Sequence, residues 1–569
     1  NILSFTRPHT LLIWLLITSA IWGVWLLKND LSFGSIVDKS IKELINSIKT
    51  NQLLRVILVE EVLFFSSFVA WAYVRAFSPE LQGLEKFMDY GFMNSILKSE
   101  YFPPLDHFFA AEGINYYYFG HLIAAVLTKI SSVPSVISYN LQISLLFALT
   151  FMGSFSIGLT LIARSLKKKF GYLVFMGGLL SGTFTAIIGN LHAALNITDY
   201  KTYWYASATR LIPFTINEFP IYSFVVNDLH GHVSNIPQAL LIIALLVNFV
   251  LQIKENHEHQ TTDDKDQADK QTNNQQSAIN DQVKNQNSKF KFLDSSFLIP
   301  YLFLSLTIGV SYATNAWDFP IYLVLGGLTT LYFVYQHHQQ SPTFDGNLLY
   351  VFKDTALIVL PVFILSILIM WPYWQTVAPI SEGIGVVRDF SPIGLVLILW
   401  GMYFFLSASF LLFAFGNKIA KHLPHKLSAY SLPLTANNIH LNAIDTFALL
   451  LMGTALLLII IPEIIYVKDI YPQHYRANTM FKLYYAAWIM FSIATAYSFT
   501  RMTDAIKKRT KSSFWIANLL VQYVLIAATL AYPYFAINSA TSSFKEWKGL
   551  TGDNFIERLY PNDATAIDW

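Results

Sequence analysis

The chain has 569 residues, 54% of them hydrophobic and 16% aromatic, with only 13% charged. A soluble domain carries nearer a quarter of its residues as charges, so this composition describes a membrane protein. The net charge of +2 gives no reason to expect nucleic acid, and the lack of cysteine excludes disulfides and thiolate metal sites, leaving oxygen and imidazole ligands for any metal.

Asn1 at the start and Ala566-Ile-Asp-Trp569 at the stop read as the trimmed ends of a longer protein. No cleavable signal peptide is evident, because the first apolar run is long enough to span. A spanning helix takes about 20 mostly apolar residues. In chain order the candidates are Thr10–Leu27, Leu54–Tyr73, Tyr117–Thr128, Ile137–Ala163, Tyr172–Leu195, Ile236–Ile253 and Phe297–Ala313. They continue with Ile321–Tyr335, Thr355–Met370, Ile393–Phe415, Ile444–Ile465, Tyr484–Phe499 and Trp515–Ile537. The expectation is an all-α, polytopic transmembrane bundle of about 12 spans, forming a single membrane domain over residues 1–569. Its place is the cell membrane.

Lys/Arg bias orients the spans. Arg164-Ser-Leu-Lys-Lys-Lys169, Lys418–Lys426 and Arg501–Lys511 are basic and belong inside. The polar, Asn/Gln-rich stretch Lys254–Lys291 lacks apolar periodicity and reads as a disordered cytoplasmic insert spanning 254–292. Counting helices then puts Asn196–Val233, Asn315–Asp318, Trp371–Ser391, Glu463–Asn478 and the tail from Asn538 outside. The segment 538–569 reads as the start of a truncated outer C-terminal region. Leu54–Tyr73 and Tyr117–Thr128 cannot both cross if Ser78–Gly113 is also outside. Asn115–Ile130 is therefore taken as partly interfacial or re-entrant, the alternative being a cytoplasmic Ser78–Gly113.

The first outer loop opens with Glu85-Lys-Phe-Met-Asp89. Phe92, Met93, Ile96 and Leu97 then recur at helical spacing, predicting an outer-side amphipathic juxtamembrane helix with Asp89 near its N-terminus. Tyr101-Phe-Pro-Pro-Leu-Asp106 and Asn115-Tyr-Tyr-Tyr-Phe-Gly-His121 come next, and Tyr116 to Tyr118 are read first as interfacial anchors.

The stretch from Glu218 to Pro237 concentrates the chemistry. Asp228, His230 and His232 are spaced by two, which in extended backbone puts all three on one face. Gly231 permits a bend, and Asn235 with Pro237 reads as the cap and first turn of the next helix. The bland alternative makes Asp228 a cap and the histidines interfacial hydrogen-bonders. Asp318, before Pro320, is favoured as a helix N-cap over a catalytic acid. Glu463 with Arg476 or Lys482 forms an ion pair, or Arg476 and Lys482 clamp a phosphate; the sequence leaves the two readings level. His192, Arg210 and Arg388 are singletons, read as solvated or paired.

Together these motifs, with Arg476-Ala-Asn-Thr-Met-Phe-Lys482, Asn315-Ala-Trp-Asp-Phe-Pro320 and Gly549-Leu-Thr-Gly-Asp-Asn-Phe near the tail, resemble the uncharacterised "YYY" membrane protein family of archaea and of bacteria such as the Chloroflexi. The resemblance runs from about Leu54 to the C-terminus. More distantly the chain is similar to the GT-C superfamily of polytopic glycosyltransferases. Glu85 and Asp89 stand where those enzymes carry a first-loop acid, Pro103-Pro104 and Tyr116–Gly120 come after in matching order, and Asp228 falls near their second-loop acid. The adjacent Asp-Glu pair usual there is absent.

That resemblance implies sugar transfer from a polyprenyl-phosphate donor, beside membrane lipid, to an acceptor at the outer face, with inversion. Asp89 would be the base and Glu85 its substitute, with Asp228 a further catalytic acid. Arg476, Lys482, Tyr117 and Asn478 would bind substrate. Asp228, His230 and His232 would hold a divalent metal ion, Mg or Mn. Three rivals are carried with it. A transporter or flippase of lipid-linked substrates lacks support from an internal repeat or paired broken helices. A metallohydrolase lacks the His-Glu-x-x-His pattern, and a purely structural protein would use its polar residues only as caps and anchors.

Overall fold

The computed structural model describes residues 4–28, 50–199, 202–252, 295–340, 345–378, 381, 383–421, 441–468, 472–509 and 512–568. The expected insert at Lys254–Lys291 lies outside the described residues. The protein is mostly helical, with one two-stranded antiparallel ribbon, Ile384–Val386 against Ile465–Val467, that the all-α expectation omits. In chain order the helices that matter are α1 (Arg7–Lys28), α2 (Gln52–Arg75), α3 (Lys86–Lys98), α4 (Phe119–Ser131), α5 (Ser135–Leu166) and α6 (Tyr172–Ala186). They continue with α7 (Pro220–Val226), α8 (Gly231–Gln252), α9 (Ser295–Thr314), α10 (Asp318–Gln340), α11 (Leu348–Ile369), α12 (Ile393–Lys421), α13 (Ala443–Ile464), α14 (Ala477–Arg509) and α15 (Ser513–Thr529).

Among the described residues seven helices are long and apolar enough to cross a membrane, against the dozen expected. The difference has identifiable causes. The run from Tyr172 stops as a helix at Ala186, and α4 has only 13 residues. α14 has the length, at 33 residues, but its uncharged stretch Leu483–Thr500 is diluted by Tyr, Ser and Thr. It is nevertheless the centre of the bundle, because every residue from Thr479 to Thr500 is buried. The hydroxyls of Thr495, Ser498 and Thr500 bond back to carbonyls four residues earlier, which satisfies them inside the helix.

The long helices run between two ends. At one end α5, α8, α10 and α14 begin, while α2, α9, α11 and α13 finish, and the connecting segments surround a common cavity. At the other end lie the described basic segments that begin at Arg164 and Arg501: Lys168 Nζ is 2.8 Å from Asp504, and Asn442 Nδ2 donates to Ser165 Oγ at 2.9 Å. At ~1.5 Å per residue the 32 residues of α5 separate these ends by about 48 Å. Helix counting groups the segments around 196–233, 315–318, 371–391 and 463–478, and all four supply residues to the cavity end.

α4 does not cross. It starts with Gly120 packed against Ser234 in the first turn of α8, where a Cβ would lie 2.6 Å from the serine Cβ. It ends with Thr128 Oγ1 2.6 Å from Ser138 Oγ, in the first turn of α5. Both neighbours belong to the cavity end. The same end is braced by the tail: Leu81 N donates to Gly552 O at 2.8 Å, Lys548 N to Ala76 O at 2.9 Å and Asn140 Nδ2 to Leu550 O at 3.0 Å.

Candidate functional site

Pro220 at the start of α7 suits a helix first turn, and Asn227 ends that helix in the left-handed region at φ 64°. The Asn227 side chain donates to Asn140 Oδ1 at 3.0 Å, and the buried Arg75 guanidinium reaches the same oxygen, Val225 O and Ser78 O. This frame fixes the direction in which the chain leaves α7. Asp228 Oδ1 accepts from His230 N at 2.9 Å, and His230 caps α8 in extended conformation, so His232 already lies in the helix first turn. Gly231 is required by close approach: a Cβ there would sit 2.2 Å from Thr314 O and 2.7 Å from the Tyr117 ring.

The extended ladder expected for Asp228, His230 and His232 is therefore corrected. The chain turns into a helix between the histidines, and they point to different partners. His230 Nδ1 lies 3.0 Å from Glu85 Oε2 and 3.6 Å from Asp89 Oδ1, while its Nε2 bonds the Tyr116 hydroxyl at 2.6 Å. His232 Nε2 lies 3.5 Å from Asp228 Oδ2 and 3.4 Å from Ser223 Oγ, with its ring between Phe481 and Tyr485. Asn235 stands at the cap between the first turn of α8 and its continuation, its carbonyl accepting from Ala239 N at 2.9 Å, but its side chain does not cap: the amide donates to Asp318 Oδ2 at 2.6 Å, where Asn315 also donates at 2.9 Å, so Asp318 ties α8 to α10 as a buried acceptor.

The helix expected after Glu85 is present as α3, but Phe92, Met93 and Ile96 are buried in the protein and not laid on lipid. Asp89 shares that inner face and is 0% exposed. Its Oδ1 accepts from His121 Nε2 at 2.9 Å, and its Oδ2 has no partner among the described residues. Asp89 does not line the cavity, whereas Glu85, one turn earlier with a side chain 65% exposed, does.

The cavity has a volume of about 830 Å³. Glu85, Asp228, His230, His232, Tyr117, Asn478 and Lys482 all line it. Lys482 is 3% exposed, and its Nζ has no hydrogen-bond partner among the described residues; the Phe481 and Tyr117 ring faces lie 4.7 and 5.7 Å away. Of the two readings the sequence leaves level, Arg476 follows the ion pair and not the phosphate clamp. It is buried against Glu463 at 3.0 Å, with Ser391 Oγ completing the pair at 2.6 Å from the carboxylate, and it does not line the cavity. Tyr116 and Tyr117 are likewise cavity residues and not lipid anchors, while Tyr118 is buried against Tyr373.

Sequence reasoning missed His121, Glu218 and Arg210 as neighbours of this site. Arg210 pairs with Glu218 at 2.8 Å, and both line the cavity. An acid eight residues from an arginine carries no local signal of that pairing. His121, next to Tyr-Tyr-Tyr-Phe-Gly, stands inside a motif singled out from the sequence, yet nothing in its spacing points to Asp89.

Burial pushes the Asp228 carboxyl up to about 7; His230 works against this, and the nearby Asp89 and Glu218 add to it. Burial would raise Asp89 too, but the hydrogen bond from His121 and the nearby His230 imidazole outweigh it and hold the carboxyl at about 2. Burial disfavours the His230 imidazolium, and Tyr117 with Asp89 reverses that, raising the group. Burial lowers Lys86, which also lines the cavity, to about 8.

The metal set expected from Asp228, His230 and His232 divides into two overlapping groups that share Asp228. Asp89, Asp228 and His230 each offer an atom within 4.8 Å of the others, as do Glu218, Asp228 and His232. The first group fits a divalent cation better. Asp89 contributes a buried oxygen without a partner, and the Tyr116 bond to Nε2 leaves His230 Nδ1 facing the acids. Carboxylate oxygens with one imidazole suit Mg or Mn.

A family model described as "Uncharacterized membrane protein (DUF2298)" matches residues 2–491. No curated protein matches the chain. Among solved structures the chain is similar to the archaeal oligosaccharyltransferase AglB from Archaeoglobus fulgidus in complex with an inhibitory peptide and a dolichol-phosphate. Identity is 11% and the TM-score 0.38, covering 84% of this chain and 56% of that one. The apo form of the oligosaccharyltransferase from the same organism matches at 10% identity and TM-score 0.38, covering 90% and 59%. The chain thus spans less than two thirds of the length of these structures.

Proposed function

The chain belongs to this family of uncharacterised membrane proteins, and from that premise we propose that it is a membrane glycosyltransferase that moves a sugar from a polyprenyl-phosphate donor to an acceptor at the outer membrane face. The observation that carries this reading is one cavity in which Glu85, Asp228, His230 and Lys482 converge, the Lys482 ammonium having no hydrogen-bond partner among the described residues. A buried ammonium without a hydrogen-bond partner is costly, and a phosphate anion is a partner that lowers the cost. The cavity lies at the bundle end opposite the basic segments, which supports the outer face. Its polar groups gather at that end and not midway along the helices, which weighs against a translocation path.

Exposure divides the roles. Glu85 faces the cavity beside His230 and takes the proton of the acceptor hydroxyl or amide as that atom attacks the anomeric carbon. The bond from that carbon to the phosphate oxygen breaks on the opposite face, so the configuration inverts. Lys482 meets the negative charge developing on the departing lipid phosphate, and Tyr117 and Asn478 line the space around it. Asp89, Asp228 and His230 are the residues that would hold a divalent cation, which supplies further positive charge for the leaving group. Asp89, first expected as the base, is placed in this reading behind His230 as a ligand, because it has no access to the cavity.

The test is transfer of labelled sugar from polyprenyl-phosphate donors by the purified protein. Glu85→Gln is expected to lower kcat by roughly 100-fold or more, the usual weight of a general base. No turnover with any donor sugar, or full turnover by both Glu85→Gln and Asp228→Asn, would overturn the assignment.

A further inference from the structure

We infer that His121 is a positioning residue that sets the cation affinity of the Asp89–Asp228–His230 group, by holding Asp89 through one carboxylate oxygen and leaving the other bare. The inference rests on the cation part of the reading above. His121 is 0% exposed and touches no cavity surface, so it meets neither donor nor acceptor. It sits in the first turn of α4, and its Nε2 donates to Asp89 Oδ1 at 2.9 Å. Its Nδ1 has no partner among the described residues, so the geometry assigns the ring proton to Nε2 and makes the imidazole a single donor.

The ring has little freedom. Phe92 of α3 meets it edge-on, with centroids 5.6 Å apart and planes at 79°. The backbone beside it is fixed as well, because Gly120 packs directly on Ser234 of α8. Asp89 is thus held from behind by a group whose own position is locked by two neighbouring helices. Without that donor Oδ1 would keep only His230 Nδ1, 3.6 Å away, and the side chain would be freer to turn away from Asp228 and His230. A ligating carboxylate needs such an outer partner to keep its orientation, and removal of one typically weakens metal affinity 10–100-fold.

The experiment is Mn2+ binding to the purified full chain, read as loss of the six-line electron paramagnetic resonance signal of the free ion. Wild type is compared with His121→Leu, His121→Asn and His121→Gln, and each variant's thermal unfolding is recorded without metal. His121→Leu keeps the bulk and removes the donor, and is expected to bind Mn2+ roughly 10–100-fold more weakly. The glutamine amide reaches about as far as Nε2, so His121→Gln is expected to recover to within a few-fold of wild type. The shorter His121→Asn is expected to stay weak and stands in if the leucine variant does not fold. Wild-type affinity in a folded leucine or asparagine variant would overturn the inference, and so would a folded glutamine variant no better than leucine. A wild type that binds no Mn2+ would overturn it together with the cation reading, and sugar transfer measured in chelator would then judge the transferase separately.

Discussion

Two aspartates, each 0% exposed, stand at opposite ends of the bundle and are treated differently by the fold. At the basic end Asp445 is fully occupied. It completes a capping box with Asn442, accepts the Tyr497 hydroxyl at 2.6 Å and lies 3.3 Å from Arg501 Nε. At the cavity end Asp89 has one oxygen on His121 and the other on nothing among the described residues. Buried carboxylates are retained when something pays the desolvation cost. For Asp445 the protein engages both oxygens; for Asp89 it engages one oxygen, and Lys482 at the same end has no hydrogen-bond partner among the described residues. The difference separates a structural lock from a site built to be completed by a ligand.

Exchanging the two carboxylates for amides breaks this comparison most sharply. Asp89→Asn is expected to lower Mn2+ affinity on the order of 100-fold or more, with a smaller loss of thermal stability than Asp445→Asn. Asp445→Asn leaves the half-buried Arg501 without its counter-charge and Tyr497 without its charged acceptor, and is expected to cost roughly 3–5 kcal/mol of stability with Mn2+ affinity preserved. Stability and binding measured on both variants decide it; equal stability losses would erase the distinction.

Lys482 and Arg476 offer the same contrast among cations. Lys482→Met removes an unpaired buried charge, so the melting temperature is expected to hold or rise. The donor KM should worsen roughly tenfold or more, the weight of a charge-assisted hydrogen bond. Arg476→Met orphans Glu463, so it should destabilise and leave the Mn2+ affinity of the surviving folded protein unchanged. A strongly destabilised Lys482→Met would place that ammonium in the frame and not in the site.

The smallest effect concerns Lys86. Its folded value near 8 lies below the ordinary 10.5, so its charged form is disfavoured by folding. That cost is fully present below pH 8 and fades as pH rises toward 10.5. Wild type should therefore gain stability relative to Lys86→Met across that window, as thermal unfolding at several pH values would show. A constant difference would put Lys86 in open solvent.

The architecture was legible because apolar run lengths and the placing of lysine and arginine are local properties. They sorted the segments near Asp228, Asn315, Tyr373 and Lys468 onto the cavity end before any contact was known. The site was legible in its members and not in its wiring. Asp228, His230 and His232 announce themselves by type, but the turn at Asn227 and the helix starting at Gly231 depend on Asn140, Arg75, Thr314 and Tyr117, all distant in sequence. The roles of Asp89 and Glu85 could not be ordered, since four residues on a helix place both on one side. Only packing decides that Glu85 reaches the cavity while Asp89 stays behind it. Arg476 stayed open for the same reason: a loop of 12 residues separates it from Glu463, and pairing across it depends on tertiary structure.

The most direct measurement is an experimental structure of the full chain with Mn2+ and a non-transferable polyprenyl-phosphate sugar analogue. The anomalous signal of the ion is predicted among Asp89, Asp228 and His230, with the phosphate against Lys482 and the anomeric carbon facing Glu85. An ion at Glu218 and His232 instead, or a phosphate lodged away from Lys482, would contradict the assignment of the site.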